Sequence, residues 1–559
     1  MIKNKLENIL NETIRTCFKE GLLSETPMPA YVVEVPKNSD HGDFATNLPM
    51  TLASSQKRSP REIAETIISN LKDANGLIEK REIAGPGFIN FVIRKDDWLD
   101  LLKSIISQGD KFGSDQPRSD EKILFEFVSA NPTGPLHLGH GRGAALGDTI
   151  CRILSFRGYH VSREFYINDA GLQVKLLGQS IFSRWKQISE PEYPFPEGGY
   201  NGDYVLNLAE EISKENDLSV LSKEDAVNLC AEIGKGKMLE EIRQDLDKFR
   251  VKFDVWFNET DLYSSGLFDE SLNKIQQKGK IYEEGGATWI KTSDFGDDKD
   301  RVIKKQDGQF TYFASDIAYH LDKFNRGFTK AVNIWGADHH GYIQRIKAAL
   351  MANDIDASWL SVLFVQLVKL WEKGQEVKMS KRSGQYVTVK ELVDDVGVDA
   401  VRFVFLTKSH DSPLDFDIDL VKKHDSENPV YYVQYAHARI CSIFRKAVSE
   451  GIVLPERAED VLSRIVLDEE IALLKFINEF PSLLEEICQT YEAHRLTYFL
   501  TELAAKFHRY FNLGNKIPEN RIVTADKTLT QARLILIEAV RIVIGNGLSL
   551  LGIKAPERM

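Results

Sequence analysis

Two histidines stand three residues apart in the segment His137-Leu-Gly-His140, directly after a Pro- and Gly-rich turn. If this segment opens a helix, both imidazoles lie on one face of its first turn and could donate hydrogen bonds to a phosphate. The helix N-terminus adds unpaired N–H groups and a positive dipole end. Gly139, Gly141 and Gly143 would let a nucleotide approach the backbone. The alternatives are half of a zinc site and two solvent-facing histidines.

A second cationic segment, Lys378-Met-Ser-Lys-Arg-Ser-Gly384, follows an apolar run and a charged turn. Lysines at this spacing could hold a triphosphate and stabilise the charge that develops on departing pyrophosphate. Taken alone, the segment could equally be an exposed basic loop. Neither segment is a P-loop or a GxGxxG fingerprint, which argues against ordinary kinases, ATPases and dehydrogenases.

The elements around these segments alternate between strand and helix patterns. Apolar β-rich runs at 123–128, 161–167, 331–335 and 362–370 are separated by helical patterns, which predicts a Rossmann-like, doubly wound parallel sheet. Residues 172–255 show helical patterns without that alternation and are predicted to be an insertion.

The flanking regions have a different character. A helical pattern over 1–23 and short strand-like pieces around a helical stretch predict an N-terminal α+β unit, with 109–121 as its exit linker. Beyond residue 428 helical patterns dominate and predict a bundle. The predicted domains are an α+β domain over 1–115, an α/β catalytic domain over 116–428 and a helical bundle over 429–559.

Composition narrows the class of protein. The 559 residues exceed what one core sustains, and 43% hydrophobic residues are typical of a folded chain. A net charge of −12 argues against binding nucleic acid by bulk electrostatics, so any such surface must be local. Five scattered cysteines without a CxxC pair predict neither disulfides nor a structural metal. No apolar run could span a membrane or act as a signal, so we expect a cytoplasmic protein.

Together, HLGH early and KMSK late in one doubly wound domain resemble the class I aminoacyl-tRNA synthetases. The resemblance implies that both motifs lie over ATP, which carries Mg²⁺. It implies that four side chains stabilise the transition state at the α-phosphate while the amino acid's carboxylate attacks. That carboxylate is already ionised at pH 7, so no general base is needed. The four residues are His137, His140, Lys378 and Lys381, with Lys381 as the direct phosphate contact.

Finer resemblance points to the arginyl-tRNA synthetases and covers essentially the whole chain. It rests on the segments 125–137, 165–171, 312–319, 335–342, 430–439 and 555–559. The HIGH-like motif comprises Ala130, Asn131, Pro132, Thr133, Gly134, Pro135, Leu136, His137, Leu138, Gly139 and His140. The resemblance implies ATP contacts by Pro135, Gly139, Gly141, Met379 and Ser380.

A guanidinium is best selected by carboxylates that accept bidentate hydrogen bonds beside an aromatic face. The resemblance nominates Asp316 and Glu259 for this role, with Tyr312 on the face of Asp316 if that stretch is helical. It further nominates Glu126, Ser129 and Asn131 for the substrate's amino and carboxylate ends, and His339 or, preferably, His340 as a pocket residue. The alternatives are that Glu126 only caps a neighbouring Arg, that Tyr312 belongs to the core, and that the two histidines merely pair within their loop.

The implied activity is that of an arginine–tRNA ligase. ATP and L-arginine would give arginyl-adenylate and pyrophosphate, with tRNA required for this step, and the 2′-hydroxyl of the terminal adenosine of tRNA(Arg) would take the arginyl group. The N-terminal unit would contact the tRNA's outer corner and the bundle its anticodon. Tyr431, Tyr435, His437 and Arg439 could stack on bases, or the tyrosines could be core. We expect a monomer.

Three rival hypotheses remain. A synthetase for another amino acid is disfavoured by the acidic pocket residues and by the missing zinc cysteines. A non-catalytic RNA-binding paralogue is disfavoured by the intact motifs. A nucleotidylyltransferase with a similar HxGH site would leave the helical C-terminus unexplained.

Overall fold

The computed structural model describes residues 2–169, 171–377, 387–455 and 457–559. Its first part is an antiparallel sheet of order β1-β2-β4-β3 covered by helices. Helix α3 begins after Ser59 with Pro60 in its first turn, and Ser59 and Glu62 cap each other's backbone N–H groups. The elements are α1 (Ile2–Lys19), β1 (Val33–Glu34), β2 (Phe44–Thr46), α2 (Leu48–Gln56), α3 (Pro60–Ser69), β3 (Ile78–Ala84), β4 (Phe88–Ile93) and α4 (Lys95–Gln108).

The central part is built on a five-stranded parallel sheet of order β12-β11-β5-β6-β7. Its elements are β5 (Arg118–Glu126), α5 (Leu138–Phe156), β6 (Tyr159–Ile167), α6 (Leu172–Ser189), α7 (Asp203–Glu215), α8 (Lys223–Lys248), β7 (Val255–Asn258), α9 (Glu259–Ser264), α10 (Leu267–Gln277), β8 (Ile281–Glu284), β9 (Ala287–Ile290), β10 (Arg301–Lys304), α11 (Tyr312–Asn325), β11 (Lys330–Gly336), α12 (Ile343–Met351), β12 (Leu360–Val365), β13 (Val368–Glu372), β14 (Gln375–Glu376), α13 (Val389–Val396), α14 (Val398–Phe405), β15 (Leu414–Asp417) and α15 (Ile418–Val421).

The last part is a helical bundle, so the fold class predicted from the sequence, a Rossmann-like domain between an α+β unit and a bundle, is confirmed. The bundle consists of α16 (Pro429–Ser449), α17 (Glu459–Leu462), α18 (Asp468–Ile477), α19 (Phe480–Thr490), α20 (His494–Lys516) and α21 (Lys527–Leu550).

Two local predictions were wrong, and two further features were not predicted. Residues 118–121 belong to β5 and are not part of a linker, and the run 362–370 is split between two sheets at Gln366, whose N–H donates to the carbonyl of His410. Helices α18 and α19 are separate because Pro481 lies in the first turn of α19, where it supplies no N–H. The antiparallel sheet β8-β9-β10 was not anticipated.

Arg142 locks helix α5 onto the sheet edge. Its buried guanidinium donates to the carbonyls of Gln366 (2.9 Å), Ser412 (2.8 Å) and Ser409 (2.8 Å). Burial lowers the pKa of Arg142 to about 10, so it stays charged at neutral pH. The helix that carries the histidine motif is therefore held in a fixed position relative to β12 and β13.

A second buried arginine ties α5 to the bundle. Arg402 of α14 donates to Oδ2 of Asp148 in α5 (2.6 Å), and also to the carbonyls of Leu551 (2.7 Å) and Phe249 (3.0 Å). Arg402 and Asp148 are both fully buried, where an unpaired charge would be costly. The C-terminal end of α21 is thus connected to the motif helix through one side chain.

Within the described ranges, no helix is both long and apolar enough to cross a membrane.

Candidate active site

His137 and His140 lie at the start of α5, at the carboxyl end of β5. Nδ1 of His137 accepts from the N–H of His140 (3.3 Å), and Nδ1 of His140 accepts from the N–H of His137 (3.4 Å). The two rings stack with centroids 3.6 Å apart. Because both Nδ1 atoms accept hydrogen bonds, each neutral ring carries its proton on Nε2. The pair therefore caps the helix and presents two Nε2–H donors.

The motif glycines have unequal structural roles. A Cβ on Gly139 would lie 3.0 Å from the ring of His137, so this glycine makes room for the imidazole. A Cβ on Gly141 would meet Val389 at 2.7 Å and Phe405 at 3.0 Å. The small size of Gly141 is thus required by helix packing, and its predicted contact with ATP remains a prediction.

The chain returns to the histidine motif directly after the KMSK segment. Val389 donates its N–H to the carbonyl of Leu136 (2.8 Å), and Thr388 forms a β-bridge with His137. The predicted residues Lys378, Met379, Ser380 and Lys381 themselves lie outside the described residues.

The turn between β5 and α5 is strained. Val128 has a φ of 69° and Ser129 a φ of 39°, in a region that β-branched residues rarely adopt. Ser129 Oγ holds this turn, because it donates to Glu126 (2.9 Å) and accepts from the N–H of Tyr166 (3.2 Å). Strain of this kind costs about 1–3 kcal/mol and clusters at functional sites.

Glu126 is paired with a lysine that the sequence analysis did not identify. Nζ of Lys323, which is fully buried, donates to Glu126 (2.5 Å) and to the side-chain oxygen of Asn333 (3.1 Å). The amide nitrogen of Asn333 is in turn hydrogen-bonded to Nε2 of His320 (2.9 Å). Lys323 follows Asp316 by seven residues, which is two helical turns on one face of α11, and this spacing was the available signal. Glu126 thus pairs with a buried cation, but that cation is a lysine and not the neighbouring Arg considered as the alternative.

Asp316 lies on α11 with Tyr312 one turn before it, so the helical condition for their shared face is met. Its carboxylate accepts a hydrogen bond from the hydroxyl of Tyr342, another residue that sequence analysis did not select. Burial raises the pKa of Asp316 to about 7, and the hydrogen bond from Tyr342 opposes this shift. The negative charges of Glu126 and Glu259 also contribute to the raised pKa of Asp316, so both lie near enough to Asp316 to repel its charge.

Glu259 begins α9 and is almost fully buried, with 4% of its surface exposed. Burial raises its pKa, whereas hydrogen bonds with Ser315 and Tyr166 lower it. The negative charge of Asp169 raises it again. Asp316 and Glu259 are thus two neighbouring buried carboxylates with raised pKa values, and a nearby cation would stabilise their ionised forms.

The other predicted residues are more exposed. Tyr312 has 63% of its surface exposed, which is against a core role. Asn131 donates its amide to Gln173 (2.6 Å), and the HIGH-like loop is held by Tyr204, whose hydroxyl donates to the carbonyl of Thr133 (2.8 Å). His339 is exposed and packs edge-on against Trp335, while the side chain of His340 lies outside what the structure describes.

A basic pocket of about 820 Å³ opens in the bundle. The guanidinium of Arg439 lies 4.4 Å from the ring centre of Tyr435 and 4.6 Å from that of Phe511. His437 is buried and bound to the carbonyl of Pro556 (2.9 Å), so its predicted role in stacking on bases was wrong. The cationic residues of the lining are Arg439, Arg445, Lys446, Arg521 and Arg558.

No group of three or more His, Cys, Asp or Glu side chains among the described residues could hold a metal ion.

Comparisons with known proteins identify relatives of one family along the chain. Family models match the arginyl tRNA synthetase N terminal domain over residues 2–93, the catalytic domain of class I tRNA synthetases (R) over 101–414 and the DALR anticodon binding domain over 433–559. The arginine–tRNA ligases of Desulfosudis oleivorans and Bacillus subtilis are 46% and 44% identical to this chain, with 100% of each chain covered. An arginyl-tRNA synthetase structure from Thermus thermophilus has a TM-score of 0.79 and 22% identity over 100% of both chains, which supports the fold.

Since the catalytic-domain model covers more than half of the chain, and full-length relatives exceed 40% identity, the chain belongs to the arginyl-tRNA synthetases, class I enzymes that ligate arginine to tRNA.

Proposed function

We propose that this chain forms arginyl-adenylate from ATP and L-arginine and then transfers the arginyl group to the 2′-hydroxyl of the terminal adenosine of tRNA(Arg). The observation that carries this proposal is the pair of buried carboxylates on α9 and α11, which would line an acidic pocket. Asp316 and Glu259 are both buried carboxylates with raised pKa values, and each can be stabilised by a planar cation that donates several hydrogen bonds.

In the proposed first step, ATP lies over the start of α5. Nε2–H of His137 and of His140 would donate to the phosphates, and Lys378 and Lys381 would stabilise the departing pyrophosphate. The contacts of Val389 and Thr388 with the motif support this, because the chain on the C-terminal side of the lysines is fixed beside His137. Pro135, Gly139, Gly141, Met379 and Ser380 would complete the ATP site, and Mg²⁺ would arrive bound to ATP.

The arginine substrate would lie between this ATP site and the acidic pocket. Asp316 and Glu259 would accept hydrogen bonds from the guanidinium, with the ring of Tyr312 beside it. Ser129, Asn131 and Glu126 would hold the substrate's amino and carboxylate ends, and His340 would line the pocket. The hydrogen bonds that Glu126 accepts from Lys323 and Ser129 support this placement, because they fix the orientation of its carboxylate.

Three regions of the chain would have different roles in the reaction with tRNA. We propose that residues 1–115 contact its outer corner, that residues 116–428, with the insertion at 172–255, catalyse the reaction, and that residues 429–559 bind the anticodon. The basic pocket with Arg439 between two aromatic rings supports the last assignment, since unstacked bases bind to aromatic and guanidinium surfaces. We further propose a cytoplasmic monomer.

Aminoacylation of total tRNA with each of the twenty amino acids tests the function. We expect charging with arginine alone. Charging with another amino acid, or with none, would contradict the proposal.

Pyrophosphate exchange measured with and without tRNA tests whether the first step requires tRNA. Robust exchange without tRNA would contradict that requirement.

The pH dependence of arginine use follows from the pKa of Asp316, which burial raises to about 7. Protonation removes the charge that attracts the guanidinium. The kcat/KM for arginine should therefore fall about tenfold per pH unit below about 7 and level off above it. Aminoacylation measured from pH 5.5 to 8.5 at saturating ATP and tRNA checks this. A flat profile through this range would contradict an essential ionised Asp316.

A further inference from the structure

The carboxylate of Asp316 is held from one side only. Its Oδ2 accepts the hydroxyl proton of Tyr342, which ends the 3₁₀ turn Ala337–Tyr342 after β11. Across the described part of the chain, no group donates a hydrogen bond to the second oxygen, Oδ1. One oxygen is thus engaged by the protein, and the other is available to a ligand.

We propose that Tyr342 is a positioning residue for arginine selection: its hydroxyl fixes the carboxylate of Asp316 so that Oδ1 faces the guanidinium. This inference rests on the proposed contact between Asp316 and arginine. It adds a residue from the 3₁₀ turn after β11 to a pocket whose carboxylates lie on β5, α9 and α11.

The charges around Asp316 explain why such a donor is needed. Burial and two neighbouring carboxylates all favour the protonated form, which has no negative charge to attract a guanidinium. Lys323 favours the ionised form but is already engaged by Glu126. The hydrogen bond from Tyr342 is the largest influence that keeps Asp316 ionised. Among the described side chains, the titratable groups that interact with Asp316 are Tyr342, Glu126, Glu259, Lys323, Tyr166 and Tyr263.

The ring of Tyr342 has a separate packing role. Its centroid lies 6.1 Å from that of Phe313 and 6.0 Å from that of Trp335, and the guanidinium of Arg345 lies 5.8 Å above it. A phenylalanine at position 342 keeps these ring contacts. The variant Tyr342→Phe therefore removes the hydroxyl with little change in packing.

The first test is the pH profile of Tyr342→Phe. Loss of a hydrogen bond to a charged group should move the acidic limb of kcat/KM for arginine upward by about one to two pH units. At pH 7 the KM for arginine should rise about tenfold or more, while the KM for ATP stays unchanged. The position of the limb does not depend on how much of the variant is folded, so partial unfolding cannot imitate the shift.

Tyr282→Phe is the matched control. Tyr282 also donates to an aspartate, Asp300 (3.0 Å), but it lies in β8 of the antiparallel sheet. Its removal should leave the pH profile for arginine unchanged. A similar shift in this control would show that the effect is general and would overturn the inference.

The second test uses citrulline, in which a neutral urea replaces the guanidinium. A protonated Asp316 can donate to the urea oxygen, whereas an ionised one cannot. At pH 6.5, inhibition by citrulline relative to the KM for arginine should therefore strengthen about tenfold in Tyr342→Phe. An unchanged ratio together with an unchanged limb would overturn the role of Tyr342.

Asp316→Asn separates this inference from the proposed function. If Asp316→Asn leaves the KM for arginine unaltered, the proposed pocket is wrong and the inference falls with it. If Asp316→Asn raises that KM but Tyr342→Phe changes neither the limb nor the citrulline ratio, only the role of Tyr342 is overturned.

Discussion

Replacing Asp316 with alanine should lower kcat/KM for arginine by about 10²- to 10³-fold, with little effect on the KM for ATP. The physical reason is that the guanidinium would lose a charge-assisted partner inside a desolvated pocket, where truncating one member of such a pair costs about 3–5 kcal/mol. Steady-state aminoacylation with arginine and ATP varied in turn measures both constants.

The same variant should not be less stable than the parent at pH 8. The pKa of Asp316 is raised on folding to about 7 from a usual value of 3.8, so the folded state binds the proton more tightly. Between about pH 4 and about pH 7 the unfolded state loses this proton and the folded state keeps it, so the free energy of unfolding falls as the pH rises. At pH 8 the buried carboxylate is ionised and destabilises the folded state. Alanine removes this cost, so thermal unfolding at pH 8 should occur at an equal or higher temperature.

Asp307→Ala provides a control for surface substitutions, since Asp307 lies in the exposed turn between β10 and α11. Its kinetic constants should match those of the parent. If Asp316→Ala raises the KM for arginine and for ATP equally, or lowers thermal stability at pH 8, the residue is structural and the proposed selection of the guanidinium is wrong.

Replacing His137 with asparagine should lower the rate of adenylate formation by about 10²- to 10³-fold while leaving the free energy of unfolding within about 0.5 kcal/mol. Asparagine is a strong N-cap residue, so its side-chain oxygen can accept from the N–H of residue 140 as the imidazole does. It cannot place an Nε2–H donor where the phosphate charge develops, and loss of one such donor typically costs this much in rate.

The two roles of His137 can be separated with His137→Ala. Alanine loses the cap as well as the donor, so this variant should be about 1 kcal/mol less stable than His137→Asn and equally slow. Single-turnover pyrophosphate release with tRNA present measures the rate, and urea unfolding measures the stability. A normal rate in His137→Asn would show that the imidazole only caps the helix.

A cap far from the site gives the matched control. Ser222 caps α8 by accepting from the N–H of Asp225 (3.1 Å), and Ser222→Asn exchanges one good cap for another. Neither stability nor rate should change. A rate loss there would indicate that cap exchange itself disturbs the enzyme through the insertion.

Much of the fold could be predicted because its elements depend on local patterns of residue type and apolar spacing. Apolar β-rich runs located β6 and β11, and helical spacing of apolar residues located α5 and the bundle helices. The split of 362–370 could not be predicted, because one apolar run can serve two sheets when the break depends on a distant partner such as the carbonyl of His410. The antiparallel sheet β8-β10 was missed because its strands are only four residues long.

The histidine motif has features that local sequence predicts and features that depend on distant parts of the chain. Its residue types and spacing, together with the strand before it, were enough to predict a phosphate site. Only the tertiary structure revealed that Gly141 makes room for Val389 and Phe405, and that Arg142 anchors the helix to carbonyls more than 200 positions away. Close packing between distant segments leaves no trace in local periodicity.

The sequence by itself determined the class of enzyme and the parallel sheet, and it nominated residues for the guanidinium, because all three follow from local composition, motif spacing and family resemblance. The tertiary structure decided which carboxylates lie near one another, which hydrogen-bond partners they have and how far burial shifts their pKa values. Lys323 and Tyr342 act on Glu126 and Asp316 through burial and through hydrogen bonds across the fold. Desolvation depends on everything that surrounds a group in space, so it is a property of the folded chain and not of any segment of it.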